Sequence, residues 1–236
     1  MYTTEAPPRP LHRQFPDGPP LVGLAAVSTA LLLTGLIAST AMAGTTFPSP
    51  FDSGASILVY FHGHQDAVKV SAFFQFAAAV PLAIYAATAS VRLRNLGIRA
   101  PGASIAFAGG VLAAVFLAVS GVVSWALTQP AVPASAPLVR ALCALCFAAG
   151  GPGSVVPLGL LIAGLAVPAA FGALLPRWLA ATGLILAVAA EFSSLCLLAD
   201  GFAYLLPVAR FGGLAWLITA GALLPKTRPA TGPNPA

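Results

Sequence analysis

Glu191 and Arg210 are charged residues that lie within long apolar stretches of the chain, so they are the first candidates for chemistry. A charge at the centre of a bilayer costs about 2.5–3.5 kcal/mol on insertion scales, and such a residue is usually paired or functional. Counting outward from the loop near Gly201 places both residues at a similar depth. We expect an ion pair that joins two helices, or an Arg210 side chain that snorkels outward alone; a proton or anion site is the alternative.

A glycine- and proline-rich sequence, Gly-Gly-Pro-Gly-Ser at 150–154, interrupts the apolar region 137–174. As one straight helix this region would measure about 57 Å, nearly twice the hydrocarbon core. Glycine is permissive and proline removes a helix hydrogen bond, which predicts a short helix over 138–149 and a crossing over 155–174. Because protein or water must satisfy broken backbone at membrane depth, three residues become candidate ligand-facing positions, with an outer-surface loop as the alternative: Gly151, Pro152 and Gly153.

Cys143 and Cys146 form a Cys-x-x-Cys motif, and Cys196 is the third cysteine of the chain. Two nearby thiols can exchange with a disulfide, which makes a membrane thiol oxidoreductase one hypothesis. Known quinone-coupled enzymes of this kind use a second cysteine pair in an outer loop, and this sequence has none. We therefore interpret these residues mainly as small apolar helix residues.

His62, His64 and Asp66 form a weak metal-binding pattern in the first outer loop. Two histidines and a carboxylate can bind zinc or copper, although structural zinc sites usually have four ligands. The alternative is a polar loop in which Asp66 caps the second spanning helix and pairs with Lys69. No predicted span contains a histidine, which excludes a bis-histidine haem, and we expect no cofactor.

The composition requires a membrane to position these residues. Of 236 residues, 58% are hydrophobic and 7% are charged, whereas soluble domains carry about 25% charged residues. Continuous apolar runs of spanning length favour helices over strands. The sequence predicts an all-α, polytopic membrane bundle of six transmembrane helices with a broken fourth region. The spans are 21–43, 67–91, 103–128, the crossing within 137–174, 178–198 and 206–224.

Glycines recur along the third, fourth and sixth of these spans. Without a hydrophobic force between helices in lipid, close backbone approach supplies much of the packing. We therefore interpret these glycines as helix–helix contacts: Gly109, Gly110, Gly121, Gly159, Gly164, Gly212, Gly213 and Gly221.

Positive charges concentrate on alternate loops, which predicts the orientation. One side carries eight of the eleven lysines and arginines, and the other carries Lys69, Arg140 and Arg210. Both termini are then cytoplasmic. The eight are Arg9, Arg13, Arg92, Arg94, Arg99, Arg177, Lys226 and Arg228.

The domain organisation is one membrane domain between two short tails. We expect disordered, proline-rich cytoplasmic tails over 1–19 and 226–236, with the six-span domain over 20–225. Ala-Met-Ala at 41–43 resembles a signal-peptidase site, and cleavage there would leave five spans. The long, acidic and proline-containing segment before it argues against a signal peptide.

Four short motifs resemble a family of uncharacterised bacterial six-helix integral membrane proteins, over roughly residues 20–226. The resemblance implies a six-helix fold in the bacterial inner membrane, and it implies no activity or catalytic residue. The motifs are RLRNLG at 92–97, FAAGGPG at 147–153, LPRWL at 175–179 and RFGGLAW at 210–216.

These observations favour a non-enzymatic, multi-pass cell-membrane protein that binds lipid or a small apolar ligand, or that regulates a partner. The alternatives are a small-solute or ion-coupled transporter using Glu191 and Arg210, and a thiol oxidoreductase at Cys143 and Cys146. The expected surroundings are the lipid bilayer, with a membrane-protein partner or a second copy of the chain. Nucleic acid is excluded as a partner, because the basic residues form no continuous face.

Overall fold

The computed structural model describes residues 18–98, 100–130, 132 and 135–226. Within these ranges the chain is all-helical and contains no strand. Six helical stretches are long and apolar enough to cross a membrane, which confirms the predicted number of spans and the multi-pass class. They are Leu21–Ala43, Gln65–Asn95, Gly102–Ala126, Ala136–Phe171, Arg177–Leu197 and Asp200–Leu223.

The described residues contain eight α-helices, and all of them except the second build these stretches, in close agreement with the predicted bounds. A π-helical segment, Ala149–Gly153, separates the fifth and sixth helices, and two 3-10 segments, Ser194–Leu197 and Asp200–Tyr204, precede the eighth. The helices are α1 (Leu21–Ala43), α2 (Gly54–Gly63), α3 (Gln65–Asn95), α4 (Gly102–Ala126), α5 (Ala136–Ala148), α6 (Ser154–Phe171), α7 (Arg177–Ser193) and α8 (Leu205–Leu223).

The six long helices form a closed ring. Neighbours around the ring are α1, α3, α4, α6, α7 and α8, and α8 packs back on α1. Large apolar side chains on the outer faces of the ring are exposed, among them Phe73, Ile185 and Val188. This distribution is expected where lipid rather than water surrounds the bundle.

The two ends of the ring differ in their composition. At one end, α1 begins beside the last turn of α8, since Leu21 lies against Gly221. We call this the terminal end; α3 and α6 also end there. At the opposite end, which we call the loop end, α3 and α8 begin, α4 ends, and the shorter helices α2 and α5 pack on each other.

Glycines bring the helices of the ring into close contact. A Cβ atom added to Gly109 would lie 2.6 Å from the Leu161 nitrogen, and one added to Gly164 would lie 2.7 Å from the Gly102 carbonyl oxygen. The remaining glycines interpreted as helix contacts have neighbours from other helices at similarly short range. The structure thus confirms that interpretation.

The helix α2 differs from the prediction, which treated its residues as loop. Ser53 precedes the helix in an extended conformation, and its side chain accepts a hydrogen bond from the Ser56 N–H at 3.2 Å. This N-cap and the apolar residues that follow explain the helix. At ten residues α2 is too short to span a bilayer, so span length and hydropathy do not predict it.

Asp66 lies in the first turn of α3 and pairs with Lys69 at 3.0 Å, as predicted. The predicted cap is wrong, because α3 begins at Gln65 and the residue in the N-cap position is His64. Most of each predicted tail lies outside the described residues, at 1–17 and 227–236. Four basic residues used to predict the orientation also lie outside them: Arg9, Arg13, Arg99 and Arg228.

Candidate ligand-binding site

Arg210 reaches from α8 to the segment that joins α5 to α6. Its Nη2 donates hydrogen bonds to the carbonyl oxygen of Gly150 and, at 3.3 Å, to the Ser154 hydroxyl. Ser154 in turn donates to the same Gly150 carbonyl. Both acceptors of the Arg210 guanidinium are therefore neutral, and neither cancels its positive charge.

The backbone at Gly151 explains why a carbonyl is available there. Gly151 has φ −78° and ψ −109°, which is outside the helical region, and Pro152 follows it. Pro152 has no N–H to donate, which interrupts the regular helix ladder. The Ser154 N–H bonds to the Gly151 carbonyl, which leaves the Gly150 carbonyl without a main-chain donor. The Arg210 side chain and the Ser154 hydroxyl supply donors to the interrupted backbone, as membrane-depth irregularities require.

A chain of polar side chains links α3, α4 and α5 next to this segment. The Gln75 amide donates to the Ser120 hydroxyl at 3.0 Å, and Ser120 donates to the Cys146 carbonyl at 3.0 Å. The Ser124 hydroxyl lies 3.0 Å from the Cys146 sulfur. Gly150 fits against Ser120 because it has no side chain there. Two polar groups are thus adjacent: one is Arg210 with the kink, and the other is Gln75 with Ser120 and Ser124.

Between these groups lies a cavity of about 340 Å³ at the loop end of the ring. Its size falls at the lower end of the range of small-molecule sites, and its wall is mostly apolar with a few polar groups, as in such sites. The polar side chains on its wall are Ser71, Gln75, Ser120, Ser124 and Arg210. The apolar wall is formed by Leu32, Leu36, Phe47, Pro48, Phe147, Ala203, Leu206, Pro207 and Phe211, and Gly35, Cys143, Cys146, Gly150 and Gly151 complete it.

Two large hydrophobic wall residues of the cavity, one on α1 and one on α8, are exposed. Leu36 on α1 is 46% exposed and Phe211 on α8 is 37% exposed. The helices α1 and α8 touch at the terminal end, where Leu21 meets Gly221. At the loop end the cavity lies between them. Because these exposed residues also line the cavity, we place its mouth between α1 and α8, on the side of the bundle where lipid would lie.

The structure does not join Glu191 to Arg210. Glu191 is exposed, two residues before the end of α7, and forms no ion pair with a described residue. Asp66 and Lys69 form the one ion pair found in the described ranges. Similar depth in the membrane was not enough to predict an ion pair, because the Arg210 side chain points inward to the kink while Glu191 lies on the outer surface.

The remaining sequence candidates fall in different places. Gly151 lines the cavity, whereas Pro152 is buried and Gly153 packs on Phe116. Cys143 and Cys146 are free, buried thiols on the cavity wall, and Cys196 is a free, buried thiol in another apolar cluster.

The three residues of the metal hypothesis do not assemble into a site. His62 is exposed at the end of α2, His64 lies at the junction with α3, and Asp66 is engaged with Lys69. In the described part of the chain, no three His, Cys, Asp or Glu side chains come together as metal ligands. Burial raises the pKa of nearby Tyr60, which packs against the His64 ring.

The polar wall formed by Gln75, Ser120 and Ser124 was not predicted from the sequence. A signal was present, because Gln75 is a carboxamide in the interior of a predicted span and the serines stand four residues apart on one helix face. Buried polar groups at membrane depth need partners, so their coincidence could have marked the site.

Comparisons with known proteins do not identify this chain. No protein-family model, curated protein or solved structure matches it.

Proposed function

We propose that this protein is a non-enzymatic membrane component that binds a lipid or another small apolar ligand in the cavity at the loop end. The cavity itself is the observation that carries the proposal. Its wall is mostly apolar, with polar groups gathered at Arg210 and Gln75, which is the usual character of a small-molecule site. The mouth at Leu36 and Phe211 gives a ligand dissolved in the bilayer a direct route to the cavity.

Both termini are proposed to lie in the cytoplasm of a bacterial cell, with the protein in the inner membrane. The positive-inside rule supports this orientation. The described acidic residues agree with it, since Asp52, Asp66, Glu191 and Asp200 all lie at the loop end. The cavity then lies in the outer half of the membrane. A membrane-protein partner or a second copy of the chain would contact the lipid-facing surface of the ring.

Mass spectrometry of co-purified lipid tests the proposal. The protein is purified in mild detergent, and the lipids bound to it are extracted. They are compared with the lipids bound to Ala203→Phe, a variant that places a large ring in the cavity. Val119→Phe is the matched control, because Val119 is exposed on the outside of α4. We expect one lipid species to be enriched with the wild type and with Val119→Phe and to be absent from Ala203→Phe. The same lipid profile for all three proteins would contradict the proposal.

A transporter is the second candidate function, since a cationic side chain faces a cavity within the membrane-spanning region. Transport requires that a ligand cross the bilayer, whereas binding does not. Flux of a ligand that co-purifies with the protein, measured in proteoliposomes with and without the protein, separates the two. Binding without protein-dependent flux supports the binding protein, and flux that Ala203→Phe abolishes supports the transporter.

The thiol oxidoreductase is proposed as a further alternative because Cys143 and Cys146 both line the cavity. Thiol exchange requires that a reactant reach the sulfur atoms. The accessibility of the two thiols therefore tests this alternative directly.

A further inference from the structure

The charge balance of the cavity wall indicates what kind of ligand it takes. Arg210 is the charged side chain on the wall, and no aspartate or glutamate lies among its described residues. Arginine stays protonated at any physiological pH. The cavity therefore carries an uncompensated positive charge in an apolar setting, which is costly unless an anion arrives to pair with it.

The guanidinium of Arg210 retains donors for such an anion. Both of its hydrogen bonds to protein use Nη2. No buried side-chain nitrogen in the described part of the chain lacks a partner, so Nε and Nη1 are not sealed inside protein. Because Arg210 lines the cavity, we place these two nitrogens toward it. The arginine fork suits the oxygen atoms of a carboxylate or phosphate.

The rest of the wall suits an alkyl chain. Leu32 and Leu36 on α1 and Phe211 on α8 line the cavity with Arg210, on the side where we place the mouth. A chain along this path would bury apolar surface inside the cavity and continue into the bilayer. A volume of about 340 Å³ fits a small head group with the first part of one chain, which favours a single-chain ligand.

We infer that the cavity binds a single-chain amphiphile whose anionic head, a carboxylate or a phosphate monoester, accepts hydrogen bonds from Arg210 while its alkyl chain leaves between α1 and α8. This inference rests on the proposed function, and it adds the charge of the ligand and the residue that recognises it. The kink at Gly150 and Ser154 holds the guanidinium in position for the head group.

Calorimetric titration of the full-length protein in lipid nanodiscs tests the inference, with empty nanodiscs as the blank. The probes are dodecanoate, dodecyl phosphate and uncharged dodecanol, which share one chain length. Wild type is compared with Arg210→Gln, with Ala203→Phe and with Arg140→Gln. Arg140 is an exposed arginine on α5 outside the cavity, so its variant is the matched charge control.

We expect at least one anionic probe to bind the wild type about tenfold or more tightly than dodecanol, the size of effect that a hydrogen bond to a charged group supplies. The better anion identifies the head group as carboxylate or phosphate. Arg210→Gln should remove the preference by weakening the binding of the anionic probes, while Arg140→Gln retains the preference. If Arg210→Gln does not fold, the affinities of the three probes for the wild type still decide whether the ligand is anionic.

Two outcomes would overturn the inference, and they differ in what else they overturn. If dodecanol binds as tightly as both anions and Ala203→Phe abolishes binding, the ligand is not anionic but the proposed binding function stands. If none of the three probes binds the wild type above the blank, the inference fails. The proposed function is then decided separately by whether Ala203→Phe loses a lipid that co-purifies with the wild type.

Discussion

Arg210 in α8 donates a hydrogen bond to the main-chain carbonyl of Gly150, sixty residues earlier in the chain. This contact ties the last helix of the ring to the kink between α5 and α6. It also gives the guanidinium a fixed position on the wall of the cavity. The irregular backbone gains a donor and the side chain gains acceptors, which lowers the cost of each in a membrane. The acceptors are neutral, so the positive charge is left for a ligand.

The close crossing of α4 and α6 should not tolerate a larger residue. In Gly109→Ala the new Cβ would meet the Leu161 and Pro157 backbone, which cannot move easily. We expect the free energy of unfolding to fall by about 1–3 kcal/mol, as overpacking usually costs. The apparent melting temperature, followed by intrinsic tryptophan fluorescence in detergent, measures the change.

Gly63→Ala is the matched control for this crossing, since nothing lies within 4 Å of a Cβ at that position. Alanine there should leave the melting temperature unchanged or raise it slightly, because alanine favours helix over glycine. Equal melting temperatures for Gly109→Ala and Gly63→Ala would show that the close crossing does not exist.

The hydroxyl of Ser120 should stabilise the loop end of the bundle. Ser120→Ala removes the acceptor of the Gln75 amide and the donor to the Cys146 carbonyl. We expect the free energy of unfolding to fall by about 0.6–1.7 kcal/mol, which are the average and the largest values measured for hydrogen bonds between membrane helices. Unfolding in a denaturing detergent gives this value. The control is Ser104→Ala at an exposed position, which should lower the free energy of unfolding less. Equal losses for the two variants would contradict the hydrogen bonds of Ser120 with Gln75 and Cys146.

Cys143 and Cys146 should react slowly with thiol reagents. Their exposed fractions are 1% and 6%, and Ser124 contacts the Cys146 sulfur. Ala144→Cys places a thiol at an exposed position of the same helix. We expect N-ethylmaleimide to label residue 144 at least about tenfold faster than 143 or 146, as peptide mass spectrometry would measure. Rapid labelling of both native thiols would instead favour the thiol oxidoreductase.

The proposed orientation predicts which loops an impermeant reagent reaches. In a variant with its three native cysteines replaced by alanine, Ala55→Cys reports on the loop end and Ala100→Cys on the terminal end; both positions are exposed. Intact cells should label at residue 55, and residue 100 should require permeabilised cells. The reverse pattern would place the cavity in the inner half of the membrane and both termini outside.

Local sequence patterns were sufficient for the spans and insufficient for the site. The bounds of α1 and α8 follow from continuous hydropathy and helix length, which are properties of a single segment. The helix α2 was not predicted because its ten residues cannot cross a bilayer, and its Ser53 cap is a short-range signal that hydropathy does not register.

The partner of Arg210 could not be predicted from charge alone. Opposite charge and similar depth favoured Glu191, but the direction of each side chain depends on helix rotation, which apolar sequences specify weakly. Glu191 lies on the outer surface. The actual acceptor is a main-chain carbonyl, freed where the backbone at Gly151 leaves the helical region. Such an acceptor has no sequence signature beyond the break itself.

A density map of the protein in lipid nanodiscs tests the central claim most directly. We predict an elongated density in the cavity, with its head within hydrogen-bond distance of the Arg210 guanidinium and its tail leaving between Leu36 and Phe211. A closed, empty bundle in which Arg210 pairs with a carboxylate of the protein would contradict the account.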